Sequence, residues 1–155
     1  MPKQVPKAGD LFLVPLDDGT SVVGQVLETA PIVMNSITCA FFDRRLSALD
    51  SAPVADAFTK SSVLSCQFVT RDAFGRGRWI RIGNGPPALT EEDLPFRETA
   101  RGGWVGAKVV GSGIMASFLN AYFGLRDWRE MKDPTYYDQL LFGARSGPIA
   151  AEDQT

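Results

Sequence analysis

Residues 9–28, GDLFLVPLDDGTSVVGQVLE, consist of two apolar runs on either side of the turn cluster Asp17-Asp18-Gly19-Thr20. An Asp-Gly step between strand-like runs is typical of a β-hairpin, because glycine accepts a positive φ and aspartate hydrogen-bonds its own backbone. We therefore predict that the chain opens with an antiparallel hairpin whose strands cover residues 11–16 and 20–28.

The size and composition of the chain predict one domain. With 155 residues and 45% hydrophobic composition, the chain can bury a sizeable core without disulfides or a metal. We expect this domain to cover residues 1–147, with a flexible tail over 148–155 after the Gly147-Pro148 step.

The chain contains no histidine, which limits the chemistry it can perform alone. Ser-His-Asp and Cys-His catalysis are excluded within this chain, and so are zinc sites built on histidine. Cys39 and Cys66 each lie in an apolar strand-like run, which predicts two buried free thiols. We predict no catalytic residues, no metal site and no cofactor.

The charge and hydropathy patterns narrow the range of partners and compartments. A formal charge of −2 and a pI of about 5.1 argue against a nucleic-acid partner, which usually requires a basic patch. No apolar run reaches the length of a membrane span, and the N-terminus lacks the apolar segment that marks export. We therefore expect a cytoplasmic protein with no membrane partner; nothing in the sequence fixes its oligomeric state.

Further strands are predicted over residues 37–42, 63–70, 79–82 and 108–110. The runs at 63–70 and 79–82 flank a turn at 72–78 and look like a second hairpin. Period-two alternation puts Ile80 and Ile82 on one face and Trp79 and Arg81 on the other. We therefore expect Trp79 to be partly exposed.

The last third of the chain changes from strand to helix patterns. From Ser112, apolar residues recur at spacings of three and four until Gly124, which stands where a C-cap glycine would. Asp133-Pro134 predicts the start of a second helix over residues 135–142.

Strands first and helices last predict an α+β fold: a strongly bent antiparallel sheet, SH3-like in its N-terminal half, with two C-terminal helices. We expect these residues to be buried: Leu13, Val23, Val26, Phe41, Phe68, Ile80, Phe118 and Leu119.

Three blocks of the sequence resemble the Imm26 immunity-protein family, which also carries a phosphotriesterase label. They are GDLFLVPLDDGTSVVGQVL (9–27), GRWIRIGNGPP (77–87) and FLNAYFGLRDWREMKDPTYYDQLL (118–141). The third block is the most specific, because it joins unusual residues at fixed spacing. The resemblance implies a small bacterial protein that binds and neutralises the toxin domain of a polymorphic toxin system, protecting the producing cell and its kin.

An acidic and aromatic surface is the candidate contact site for such a toxin. Its members are Asp17, Asp18, Trp79, Glu91, Glu92 and Asp93. Each also has a plainer interpretation: Asp17 and Asp18 suit a hairpin turn, and the acidic residues at 91–93 suit a solvated loop or a helix N-terminus. The aromatic stripe from Phe118 to Tyr137 is interpreted mainly as core.

Two other function classes remain open at the sequence level. One is a hydrolase of phosphotriester-like substrates that uses Asp17, Asp18 or Asp43 on water or metal. Well-known metal-dependent phosphotriesterases use histidine ligands, however, and this chain has none. The other is a non-catalytic ligand-binding module near Trp79 and Trp104. Arg76, Arg78 and Arg81 could in addition clamp an anion, although arginines in a hairpin mostly keep an edge strand soluble.

Overall fold

The α+β class is confirmed by the computed structural model, which describes residues 5–29, 36–47, 58–93, 108–143 and 145–148. Its strands are β1 (Asp10–Pro15), β2 (Ser21–Glu28), β3 (Ser36–Leu46), β4 (Val63–Thr70), β5 (Ile80–Asn84) and β6 (Val109–Val110). The α-helices are α1 (Asp72–Gly75) and α2 (Ser112–Tyr122), and single 3₁₀ turns cover Lys60–Ser62, Glu91–Asp93 and Tyr137–Leu140. None of the helices in these ranges has the length and apolar character that a membrane span needs.

The described strands form one open six-stranded sheet in the order β5-β1-β2-β3-β4-β6. The pairs from β5 to β4 are antiparallel, as predicted, whereas β6 runs parallel to β4. The sheet is therefore mixed. β5 and β6 lie at its two edges, so the described strands do not close into a barrel.

The opening hairpin forms as predicted. β1 and β2 pair from Leu11 with Gln25 to Pro15 with Ser21, and Gly19 has a φ of 87° in the turn between them. The Leu16 amide donates to the Thr20 carbonyl over 2.7 Å and closes the turn.

The predicted second hairpin is wrong. β4 and β5 do not pair; β5 instead pairs with β1 on the far side of the sheet. The chain turns at α1 and at Gly77, whose φ is 72°, and the Trp79 amide then donates to the Ala73 carbonyl. This compact turn redirects the chain across the sheet to the free edge of β1.

Both faces of the sheet are covered by apolar side chains. On the first face, α2 packs over a cluster that includes Phe12, Phe41, Phe74, Trp79, Met115, Phe118, Leu119, Trp128 and Tyr137. On the second face, a smaller cluster includes Val23, Phe42, Phe58, Cys66 and Leu89. Cys39 and Cys66 are both free and buried, as predicted, and burial raises the pKa of the Cys66 thiol to about 12.

The helix α2 is confirmed, and the chain turns at Gly124 with a φ of 82°. The second predicted helix, 135–142, is corrected to a 3₁₀ turn over Tyr137–Leu140. Asp133 does begin this segment, because its Oδ1 accepts from the Thr135 amide and hydroxyl. The Leu140 carbonyl and Phe142 amide then bond to Ser65 and Leu64 of β4, which competes with helical bonding.

Six of the eight residues predicted to be buried are buried, whereas Leu13 is half-buried and Ile80 is 48% exposed. Trp79 is 2% exposed, so its predicted partial exposure is wrong. Trp79 packs on the first face and Ile82 on the second, so the alternation is right, but both faces contribute to the core. Arg81 follows Trp79 on its face and pairs with the buried carboxylate of Asp10 at 2.9 Å.

Candidate functional site

The two acidic segments singled out in the sequence lie at the same end of the sheet. The β1–β2 turn follows the Pro15–Ser21 pair, Ser21 pairs with Leu46 at the end of β3, and Phe42 pairs with Val63 at the start of β4. Lys60, just before β4, contacts Asp93. We call this region the strand-end surface; it comprises Asp17, Asp18, Asp43, Arg45, Lys60, Ser61, Glu92, Asp93 and Arg145.

Asp18 is a structural residue of the β1–β2 turn. Its Oδ1 accepts from the Thr20 hydroxyl at 2.6 Å and from the Thr20 amide at 3.0 Å. Its Oδ2 lies 3.3 Å from the Arg45 Nη1, and the Arg45 guanidinium in turn lies 4.8 Å from the centre of the Phe123 ring. The Thr20 hydrogen bonds, with help from Arg45, lower the pKa of Asp18.

Asp17 has a different role in the same turn. Its amide donates to the Asn120 Oδ1 over 2.8 Å, so the buried Asn120 of α2 holds the turn against the helix. Asp17 itself is exposed. The turn therefore presents Asp17 to solvent from a backbone that is fixed on both sides.

Asp93 is committed to a turn much as Asp18 is. Its Oδ2 accepts from the Thr90 amide and hydroxyl, each at 3.0 Å, and its amide donates to the Thr90 carbonyl. Its Oδ1 pairs with the Lys60 Nζ at 2.7 Å, and Lys60 and Thr90 together lower the pKa of Asp93 to about 2.

The segment that leads into the 91–93 turn is anchored on the second face of the sheet. Leu89 is buried there, and the Ala88 amide donates to the Oε1 of the buried Gln25 at 2.9 Å. Glu92 is exposed, whereas the side chain of Glu91 lies outside what the structure describes.

An open groove adjoins the 91–93 turn. It has a volume of about 450 Å³ and is lined by Lys60, Ser61, Val63, Phe142, Gly143 and Arg145. The Arg145 Nη2 donates to the Asp43 Oδ2 and, over 2.9 Å, to the Ser61 carbonyl. The Phe142 amide donates to the Leu64 carbonyl at 2.8 Å, which ties the second wall to β4.

The structure thus places the turns that carry Asp17, Asp18, Glu92 and Asp93 at the same end of the sheet, but it buries the aromatic residue predicted to be exposed. The Trp79 ring stacks on Phe12 with centroids 5.4 Å apart and an interplanar angle of 6°. At 2% exposure, Trp79 is part of the core and is not available as a contact residue.

Sequence reasoning missed the basic members of the strand-end surface: Arg45, Lys60 and Arg145. Their acidic partners lie 27, 33 and 102 residues away in the chain. Single basic residues at such separations carry no local pattern, so only the sheet pairing reveals them.

Three of the six groups considered for catalysis or anion binding are engaged in ion pairs, whereas Asp17, Arg76 and Arg78 are exposed. Asp18 and Asp43 pair with Arg45 and Arg145. Arg81 pairs with the buried Asp10. Within the described ranges, no three His, Cys, Asp or Glu side chains are grouped so that they could hold a metal ion. Trp104 lies outside these ranges.

A protein-family model described as immunity protein 26 matches residues 7–104, well over half of the chain. The chain belongs to the immunity protein 26 family. Of the three blocks that carry the resemblance, 9–27 and 77–87 lie inside the matched range of immunity protein 26, and 118–141 lies beyond it. No curated protein and no solved structure shows significant similarity to the chain.

The match to immunity protein 26 covers most of the strand-end surface but not Arg145 or the later residues that support this surface. Both turns, Arg45 and Lys60 lie within the matched residues, whereas Asn120, Phe142 and Arg145 follow them. The residues beyond the match fix the β1–β2 turn through Asn120 and build one wall of the groove.

Proposed function

We propose that this protein is a cytoplasmic immunity protein that binds the toxin domain of a bacterial polymorphic toxin system and neutralises it. The observation that carries this proposal is membership of the immunity protein 26 family. The resemblance of the sequence implies the same role, and an inhibitor of this kind needs a preformed surface rather than turnover chemistry.

The strand-end surface suits such a role because its backbone is already fixed. Asp18 and Asp93 hold their own turns, and Asn120 holds the first turn from α2. A surface that is ordered before binding loses less conformational entropy when a partner docks. We propose this surface as the contact site, with the toxin blocked at its active site or substrate path.

Asp17 and Glu92 are the acidic residues that we expect to meet the partner directly. Both are exposed, whereas the neighbouring Asp18 and Asp93 have basic partners within the chain. Charges at the rim of an interface mainly change the association rate, and salt weakens their effect. Asp17 and Glu92 would therefore speed association with a basic region of the toxin.

Growth protection and binding test the proposal together. A candidate cognate toxin domain is expressed in a sensitive strain with or without the protein, and the purified pair is assayed for a stoichiometric complex. We expect full protection by the unmutated protein. We expect slower association at low salt for Asp17→Lys and Glu92→Lys, with a smaller difference at high salt.

Glu28→Lys is the matched control, because Glu28 is exposed at the opposite end of β2. It makes the same change in charge and should leave the association rate close to that of the parent. Absence of both protection and binding by the unmutated protein would overturn the proposed function. Normal binding by both lysine variants would leave the function intact and exclude this surface.

A further inference from the structure

We propose that the groove between Lys60 and Arg145 recognises a segment in which an acidic side chain lies next to an aromatic one. This inference rests on the proposed function in one respect, namely that the segment belongs to the toxin.

The charge at the groove is the first argument. Two basic side chains, Lys60 and Arg145, line it, and their carboxylate partners, Asp93 and Asp43, are not among its described lining residues. The Lys60 side chain is 62% exposed, and its contact with Asp93 uses one of the three N–H donors of an ammonium group. An incoming carboxylate can therefore bond to Lys60 without displacing Asp93.

The fixed position of Arg145 is the second argument. Its side chain is only 23% exposed, and its Nη2 is held by the Asp43 carboxylate and the Ser61 carbonyl. Arginine presents five donors in a rigid fork that matches a carboxylate, and it is enriched where interfaces gain most of their binding energy. The existing bonds hold the guanidinium at the groove before any partner arrives.

The apolar floor is the third argument. Val63 is 1% exposed and Phe142 is half-buried, and the Phe142 backbone is tied to β4. The groove is open to solvent, and its volume of about 450 Å³ leaves room for one aromatic side chain and a neighbouring carboxylate. Aromatic residues are enriched among the residues that dominate interfaces, so the apolar floor and the basic side chains favour an acidic–aromatic segment.

A peptide titration tests the groove without knowledge of the toxin. The full-length protein, labelled with ¹⁵N, is titrated with acetyl-Glu-Trp-Glu-amide and with acetyl-Lys-Trp-Lys-amide. We expect the acidic peptide to shift the amide resonances of Ser61, Phe142 and Gly143, and the basic peptide to leave them unchanged. Equal shifts with both peptides, or shifts only elsewhere, would overturn the proposal.

Charge reversal supplies the second measurement. Lys60→Glu replaces an attraction with a repulsion, each of the size of an exposed ion pair, so the acidic peptide should bind roughly fivefold to tenfold more weakly. Lys7→Glu is the matched control, since Lys7 is exposed and precedes β1 at the opposite end of the sheet. Equal weakening by the two variants would also overturn the proposal.

Binding of the toxin domain to the parent protein and to the two variants separates the groove proposal from the proposed function. If the toxin domain binds and Lys60→Glu weakens it more than Lys7→Glu does, both the groove and the proposed function are supported. If the acidic peptide binds the groove but no toxin binds the protein, the proposed function fails and the groove chemistry stands. If the toxin binds with equal affinity to the parent and to Lys60→Glu, the groove is not its anchor.

Discussion

Asp10 shows at the scale of one residue how this protein keeps a charge inside its core. It is 2% exposed, and its carboxylate accepts from the Arg81 Nε at 2.9 Å, the Asn84 Nδ2 at 3.0 Å and the Lys7 amide at 2.9 Å. Burial acts to raise the pKa of Asp10, but the bonds from Arg81 and Asn84 outweigh it, and the pKa is lowered.

Asp10 should therefore make the stability of the protein sensitive to acid. Because its pKa is lower in the folded than in the unfolded chain, its stabilisation is present above about pH 4 and is lost as pH falls through the lowered value. We expect Asp10→Asn to cost about 1 to 3 kcal/mol at pH 7 and less at pH 3, measured by urea unfolding. Asp17→Asn, at an exposed position, is the control. If Asp10→Asn lost the same stability at pH 7 and at pH 3, the proposed role of the Asp10 charge would be contradicted.

Gly24 is a second position where one residue type is required. A Cβ at this site of β2 would lie 2.4 Å from the Phe12 Cζ and 3.1 Å from the Ala40 carbonyl oxygen. The Phe12 ring is packed against Phe41, Phe74 and Trp79, so it has no room to withdraw. We expect Gly24→Ala to destabilise the protein by about 1 to 3 kcal/mol in thermal or denaturant unfolding.

Gly113→Ala provides the opposite case on the same scaffold. Nothing lies within 4 Å of a Cβ there, and the residue belongs to the helix α2. Alanine should stabilise this helix by about 0.5 to 1 kcal/mol, because glycine loses more backbone freedom on folding. Stability changes of the same sign in the two variants would refute the packing argument for Gly24.

At the scale of elements, the sequence correctly predicts those strands, turns and helices that are determined by residues close together in the chain. The Asp-Gly hairpin, β4 and α2 are set by turn residues and periodicity close in the chain, and all three form. The partner of β5 is set instead by which edge remains free, namely that of β1. The candidate site shows the same difference. Asp17 and Glu92 can be predicted from the local sequence, whereas the positions of Lys60 and Arg145 depend on strand pairing.

The contact between α2 and the β1–β2 turn can be tested through one hydrogen bond. Asn120 is 3% exposed, and its Oδ1 accepts from the Asp17 amide while its Nδ2 donates to the Ala116 carbonyl. We expect Asn120→Ala to leave the fold intact but to speed hydrogen exchange at the Asp17 amide, because the turn loses its bond to the helix. The Gly19 amide, which donates to the Leu16 carbonyl, is the internal control. Faster exchange at both amides would indicate a general loss of stability.

At the scale of the whole molecule, the part of the chain that matches the family does not complete the core. The first face of the sheet is covered by Phe118, Leu119, Trp128 and Tyr137, all beyond residue 104. Phe118 contacts Trp128 and Tyr137 with ring centroids 5.6 and 5.7 Å apart. The described residues of the matched range therefore depend on the later segment to bury the first face of the sheet.

A pair of substitutions measures that dependence. Phe118→Ala removes a fully buried ring and should lower the free energy of unfolding by about 3 to 5 kcal/mol, seen as a large fall in the melting temperature. Ile114→Ala, on the exposed side of the same helix at 39% exposure, should have a much smaller effect. If Phe118→Ala melted like the parent protein, α2 would not be a necessary part of the core.

The groove joins chain segments made at different times. Arg145 reaches the Ser61 carbonyl across 84 residues of sequence, so one wall leaves the ribosome long before the other. A nascent chain that has formed the first hairpin still lacks Asn120 behind its turn and Arg145 beside Lys60. Both walls of the groove should consequently be present only after translation has passed residue 145 and the late segment has folded onto β4.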